Sequence, residues 1–493
     1  MRAVVLSLLL CSAAVAGPAD AVAVATDLGR LPENDRLFAA YFVHPVPVEA
    51  DKRLAFLPTL DEFHDVFSFH VNQLSSKGAI LRPTRIAPHI WRADLRHYGW
   101  KRSTWDKMAP ANYAYVESER KKRKVLVNGR RVTRIFVKDA VAHWVPTDAA
   151  DFLVSETGTV TPIVSAPWFL ANTCRQLTLT NQQLGFGYYD WFGVKKPQDF
   201  LKLIRFREKD SLDLERDILE VVDDSGVSKQ NRMIALHIAL TGLVCYTLDT
   251  DNETGAGNAI ANLQRNAFKP KAREWYFVLL NGLPGYMLSD DDLKELQASA
   301  PDFIGADKSP LNQSIDPRIH VCLACIRCHA GDVLKPVDGW ARKNFTLDKL
   351  GLMVPALFKG ADPDEQFRIF EELKRQYLVL NFSNSLNVQR TAYRASIKEA
   401  CGMEPGPLAV AFAKHYHAYA DKPVTLEMAA AELGYTVADT RAAFRRAGDP
   451  GGYGIPPELA ALALAKEQPM KRLKWEENYA EAQRIMLADK GKP

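Results

Sequence analysis

The chain has 493 residues, 47% hydrophobic and 25% charged, with 28 Gly and 28 Pro. This excludes a collagen-like or broadly disordered chain and leaves room for a substantial core in about two or three domains. With 63 basic and 59 acidic residues the net charge is +4, so no large field draws nucleic acid and no nucleic-acid partner is expected.

Met1-Arg2 precedes an apolar run from Ala3 to Cys11, and Ala14-Val15-Ala16 follows with the small residues a signal peptidase reads. Residues 1–16 therefore read as a signal peptide, with Gly17 the first mature residue and a periplasmic or otherwise exported location. No twin-arginine precedes the run, which points to the general secretory route. Leu8-Leu9-Leu10 lacks the small residue that lipoprotein processing at Cys11 requires. Left uncleaved, the segment would attach the chain to a membrane; no other run approaches the length of a span.

Residues 17–165 read as an N-terminal α+β region. Residues 17 to 50, Pro- and Ala-rich with an apolar patch from Leu37 to Val43, form a lead-in segment. Phe56, Leu60, Phe63, Phe67 and His70 recur at helical spacing, so residues 51–75 are helical, while 88–97 alternate toward a strand. His64 and His70 read as helix-face residues rather than iron ligands. Lys121 to Val137 places β-prone runs on both sides of Asn128-Gly129, the signature of a hairpin with a type I′ turn. Its basic residues protect a sheet edge, and Arg130 and Arg131 would meet an acidic redox partner.

Residues 166–315 read as mainly helical. Trp168, Phe169, Phe186, Tyr188, Tyr189, Trp191 and Phe192 form an aromatic concentration of core type. Residues 228–247 read as an apolar helix in which His237 is a satisfied core residue, with distal iron ligation as the alternative. Asp249 to Gly255 suggests a calcium loop, but the sixth position is Thr254 and the twelfth Ile260, so an acidic interhelical loop is expected instead. Ser289-Asp-Asp-Asp292 reads as a capping box opening a helix.

Residues 316–493 hold the chain's most specific pattern, Cys325-x-x-Cys328-His329. Two thiols at this spacing can each add to one vinyl group of a protoporphyrin, placing the next imidazole beneath the iron. Cys325 and Cys328 are thus the expected thioether anchors of one covalent haem c, and His329 its axial ligand. Zinc bound by Cys322, Cys325 and Cys328 is disfavoured by the lack of a second Cys-x-x-Cys pair. An iron–sulfur cluster is disfavoured because Asp332 stands where a fourth Cys is required, and buried structural cysteines are the remaining alternative. Beyond the motif, residues 346–420 form several helices, broken near Gly360 and around Gly402 to Pro407. They carry the sixth-ligand candidates Met353, Met403, His415 and His417, with Met353 preferred and His415 next. Residues 425–446 resemble a helix-turn-helix with Gly434 in the turn and Arg445-Arg446 beyond it; export favours two packed helices over DNA binding. Residues after Ala460 read as a surface helix. With Cys11 removed and two cysteines on haem, Cys174, Cys245, Cys322 and Cys401 remain, and at least one disulfide is expected among them.

Arg92-Ala-Asp94-Leu-Arg96-His-Tyr98-Gly99-Trp100, then Asn281-Gly-Leu-Pro-Gly-Tyr286 some forty residues before the Cys-x-x-Cys-His, and Thr425 to Gly434 together resemble the large single-haem cytochrome c-domain proteins of planctomycete type. The resemblance runs from about residue 80 onward and implies haem binding and electron transfer without naming a substrate; Cys322 departs from it. The resulting expectation is a mainly α protein with an N-terminal α+β portion and a helical c-type haem-binding domain in its C-terminal part. It would be a cytochrome-like electron carrier served by an unidentified redox partner protein. A peroxidase-like haem enzyme with an open sixth position, or a zinc-stabilised scaffold, is the alternative.

Overall fold

The computed structural model describes residues 16–105, 120–127, 130–137, 163–174, 187–206, 218–222, 232–239, 242–248, 271–297, 299, 319–329, 346–375, 382–449, 454–464 and 468–490. Helices and strands are mixed. The longer helices are α1 (Ala16–Arg30), α2 (Thr59–Gln73), α3 (Ala166–Cys174), α4 (Leu323–His329), α5 (Leu347–Leu357), α6 (Pro363–Lys374), α7 (Phe382–Cys401), α8 (Pro405–Ala420), α9 (Leu426–Leu433), α10 (Val437–Gly448) and α11 (Arg472–Lys490). No helix among the described residues is long and apolar enough to cross a membrane.

The first sheet comprises β1 (Ala39–Val43), β2 (Thr84–Ala87), β3 (Ile90–Asp94) and β6 (Ile163–Ser165), in the order β2-β3-β1-β6. All five residues of β1 are buried, because it runs between an antiparallel β3 and a parallel β6. A central strand covered on both faces needs an unbroken apolar run, and Leu37 to Val43 supplies it. The expected lead-in segment is thus corrected: it contributes a central strand and α1, whose Val24 and Leu28 are fully buried. Asp27 of α1 pairs with Arg92 of β3 at 2.7 Å and accepts a 2.7 Å bond from the Tyr41 hydroxyl. The Arg92–Trp100 segment is largely structural: the Asp94 carboxylate accepts from the Arg96 amide, and the Trp100 indole donates to the Leu74 carbonyl.

The hairpin expected around Asn128-Gly129 is present as β4 (Arg120–Val127) and β5 (Arg130–Val137), with Val127 opposite Arg130; the turn residues themselves lie outside the described set.

The second sheet corrects two expectations. The described residues of the helix expected over 228–247 are strands instead. They lie in β8 (Arg232–Ala239) and β9 (Gly242–Leu248), part of an antiparallel meander β11-β10-β9-β8-β7 with β7 (Ile218–Val222), β10 (Ala272–Val278) and β11 (Pro284–Asp290). An apolar run offers no phase to distinguish a buried strand from a buried helix, and β8 pairs antiparallel with β9 from Met233 opposite Leu248 to Ala239 opposite Gly242. Ser289 to Asp292 likewise opens no helix. The Ser289 hydroxyl receives the Trp275 indole at 3.0 Å within the sheet, and the Asp290 carboxylate accepts the amides of Lys294 and Glu295 in a turn. The expected acidic interhelical loop at Asp249 to Gly255 and Phe186 lie outside the described residues.

The aromatic concentration is core, as read, and it also seals a sheet edge. The β11 amides of Tyr286 and Leu288 donate to the hydroxyls of Tyr188 and Tyr189 at 3.1 and 2.9 Å, which protects an otherwise open strand. Gly285 follows from the same crowding, since an added Cβ would stand 2.3 Å from the Phe277 ring.

In the C-terminal part the helix breaks fall where Gly360 and Gly402 to Pro407 put them. Gly434 ends α9 with φ +77°, a conformation that costs a side-chain-bearing residue free energy. The α9–α10 pair is packed into the core rather than presented as a reading head. Buried Glu432 of α9 accepts from Arg472 at 2.6 Å and from the Trp475 indole at 2.7 Å, tying the pair to α11. That helix is a surface helix on one side only, because Trp475, Tyr479, Ala482, Ile485 and Met486 are buried.

Candidate functional site

Helix α4 carries Cys325, Cys328 and His329, the i, i+3 and i+4 positions of one helical face. Its N-terminus is built by a break: Cys322 adopts φ +73°, while the amides of Ala324 and Ile326 already bond back to the His320 and Cys322 carbonyls. The helix packs against α8. Cys325 and His329 are half-buried; the Cys328 side chain lies outside the described set. The His329 ring sits beside two tyrosines of the second sheet, 5.3 Å from Tyr276 and 6.5 Å from Tyr286 between ring centres. From α7, the Tyr393 hydroxyl donates to the His329 carbonyl at 3.1 Å and fixes the end of the helix.

Burial pushes the hydroxyls of Tyr188, Tyr276 and Tyr286 well above the usual phenol range, so all three stay protonated. The Tyr286 hydroxyl is buried without a hydrogen-bond partner among the described residues. The residues fit a c-type haem on two counts: Cys325, Cys328 and His329 occupy positions on one helical face, and the buried Tyr286 hydroxyl beside His329 has no hydrogen-bond partner among the described residues.

Cys322 does not share that face. Its sulfur lies 3.1 Å from Cys174 at the end of α3 and 3.7 Å from the Gln73 side-chain oxygen. The Cys174 sulfur is 3.7 Å from Nδ1 of His70 on α2. Nε2 of His70 donates to the Thr173 hydroxyl, which passes its own proton to the Phe169 carbonyl at 2.7 Å. That chain fixes the tautomer and leaves the Nδ1 lone pair facing the thiols. Burial lowers the His70 pKa to about 3 and, with the Cys174 contact, raises the Cys322 thiol well above its ordinary value. The three donors of His70, Cys174 and Cys322 lie within 4.8 Å of one another, all buried. Sequence reading placed His70 on a plain helix face and missed this cluster, whose only trace was an even number of left-over cysteines. The other two are apart from it: Cys245 is on β9, and Cys401 ends α7 with its thiol donating to the Ile397 carbonyl at 3.1 Å.

The sixth-ligand candidates sit on other elements. Met353 is half-buried on α5 against the core, and Met403 is similarly placed between α7 and α8. His415 is engaged at Nε2 by Glu62 at 2.9 Å and packs edge-on against Phe63, while Nδ1 of His417 is held by Asp421. His237 is on β8, edge-on to Phe206 at 4.8 Å, and His64 stacks on Trp91. Comparison with known protein families, curated proteins and solved structures found no match, so the site's own chemistry carries the functional reading.

Proposed function

We propose that this chain is an exported, c-type cytochrome-like protein that carries one covalent haem and passes single electrons to a redox partner protein. The observation that carries the reading is the placement of Cys325, Cys328 and His329 on one face of α4, with Cys322 turned away toward Cys174. That divergence counts against a zinc or iron–sulfur site that includes Cys322, because its sulfur is engaged with Cys174 instead.

Cys325 and Cys328 would hold the porphyrin through thioethers and His329 would hold the iron, with Tyr276 and Tyr286 packed beside that imidazole. The chemistry supplied by a bound haem of this type is one-electron redox cycling. The tyrosines, neutral by burial, keep fixed charge away from His329, and Tyr393 holds the helix end against tilting. The basic β4–β5 hairpin is the proposed docking element for an acidic partner.

The test is optical. Protein exported alongside haem-attachment machinery should show the sharp reduced-minus-oxidised bands of a c-type cytochrome, and Cys325→Ser/Cys328→Ser should abolish covalent retention of the pigment. A colourless protein under those conditions would end the proposal.

A further inference from the structure

Three cysteines at even spacing pose a choice. Cys322-x-x-Cys325 and Cys325-x-x-Cys328 are alike in spacing, and only the second is followed by an imidazole, His329. We propose that Cys174 and Cys322 are joined by a disulfide that withdraws Cys322 from haem attachment and leaves Cys325 and Cys328 as the acceptor pair. The withdrawal, though not the link, rests on the haem reading above.

Several observations converge on the link. The two sulfurs, both free thiols in this structure, lie 3.1 Å apart in a pocket that leaves each residue 1% exposed or less, close enough for a small side-chain shift to bring them to bonding distance. The left-handed backbone at Cys322 aims this sulfur at α3 instead of along the α4 face. Forming the bond removes two protons and two electrons from the thiols; the electrons pass to a protein disulfide oxidant of the exporting compartment, which leaves as a dithiol. Once α3 and α4 have closed over the bond, reductants in solution no longer reach it.

The same donors suggest a thiophilic metal, with His70 and the Gln73 oxygen completing the set. Two sulfurs bound to one tetrahedral zinc at about 2.3 Å stand about 3.7 Å apart and two in a disulfide about 2.05 Å, so the 3.1 Å found lies between the two and the alkylation map separates them. In the reduced chain His70 and Gln73 instead accept hydrogen bonds from the Cys174 and Cys322 thiols.

The experiment is a peptide map of the full exported protein, denatured in an alkylating reagent without reductant. Cys174 and Cys322 should appear as one linked pair, with Cys245 and Cys401 alkylated. Alkylation of both Cys174 and Cys322, with or without zinc released on denaturation, would overturn the link. In Cys174→Ser the freed Cys322 should enter a fraction of the haem-bearing peptides, and Cys174→Ser/Cys322→Ser should restore the single attachment pair. Unchanged attachment in Cys174→Ser would overturn the withdrawal; if that variant does not fold, the wild-type map still decides the link. Cys325→Ser/Cys328→Ser, which cannot anchor haem, should keep the link, so a failed haem reading and a failed disulfide give different results.

Discussion

The Cys174 and Cys322 sulfurs are 3.1 Å apart in space and 148 positions apart in the chain. A bond closing so long a loop removes much unfolded-state freedom, so Cys174→Ala or Cys322→Ala should each cost about 2–4 kcal/mol. The double variant should lose no more than either single, because both break one link. Urea unfolding of the oxidised protein and of protein reduced in denaturant and refolded in reductant checks this. Wild type that unfolds at the same urea concentration in either condition would contradict it.

Acid should destabilise the fold through two buried imidazoles. Burial lowers both His44 and His70 from 6.5 to about 3. Between those values the unfolded chain binds protons that the native rings refuse, so stability falls as pH drops below 6.5 and keeps falling toward about 3. The slope is at most about 1.4 kcal/mol per pH unit for each ring. Urea midpoints from neutral to mildly acidic pH should show the decline, with a shallower slope in His70→Gln; a flat profile would be the opposing result.

The C-terminal helices hinge on one buried carboxylate. Glu432 and Arg472 are each 5% exposed, and the Trp475 indole shares the carboxylate. Glu432→Ala takes the carboxylate away from the buried Arg472 guanidinium and from the Trp475 indole N–H, a loss of about 3–5 kcal/mol. Glu477→Ala, which breaks only an exposed pair with Lys474, should cost less than about 1 kcal/mol. Equal unfolding midpoints for the two variants would refute this assignment.

Of the sixth-ligand candidates, His415 is engaged by Glu62 and His417 by Asp421, while Met353 is a half-buried thioether packed against the core. Met353→Ala should therefore remove the far-red absorption band of sulfur-ligated ferric haem, and His415→Ala should leave it in place. Persistence of the band in Met353→Ala would exclude that residue.

Local signals were legible where one residue type answers one backbone need. Gly434 marks the turn between α9 and α10, Pro405 opens α8, and Asn128-Gly129 joins paired strands. The meander was not legible, because Ile234 to Leu236 and Leu243 to Tyr246 are apolar without a period. At the site, Cys325, Cys328 and His329 could be read together because one helical turn spaces them. His70, Cys174 and Cys322 could not, since three elements far apart in the chain bring them into contact.

The central claim is that α4 holds a haem through two sulfurs and an imidazole. The most direct measurement is the mass of the denatured, exported protein matured with haem-attachment machinery, followed by mapping of its pigmented peptide. The account predicts the polypeptide plus one haem, located on the peptide containing Cys325 and Cys328. A mass equal to the bare polypeptide would contradict it.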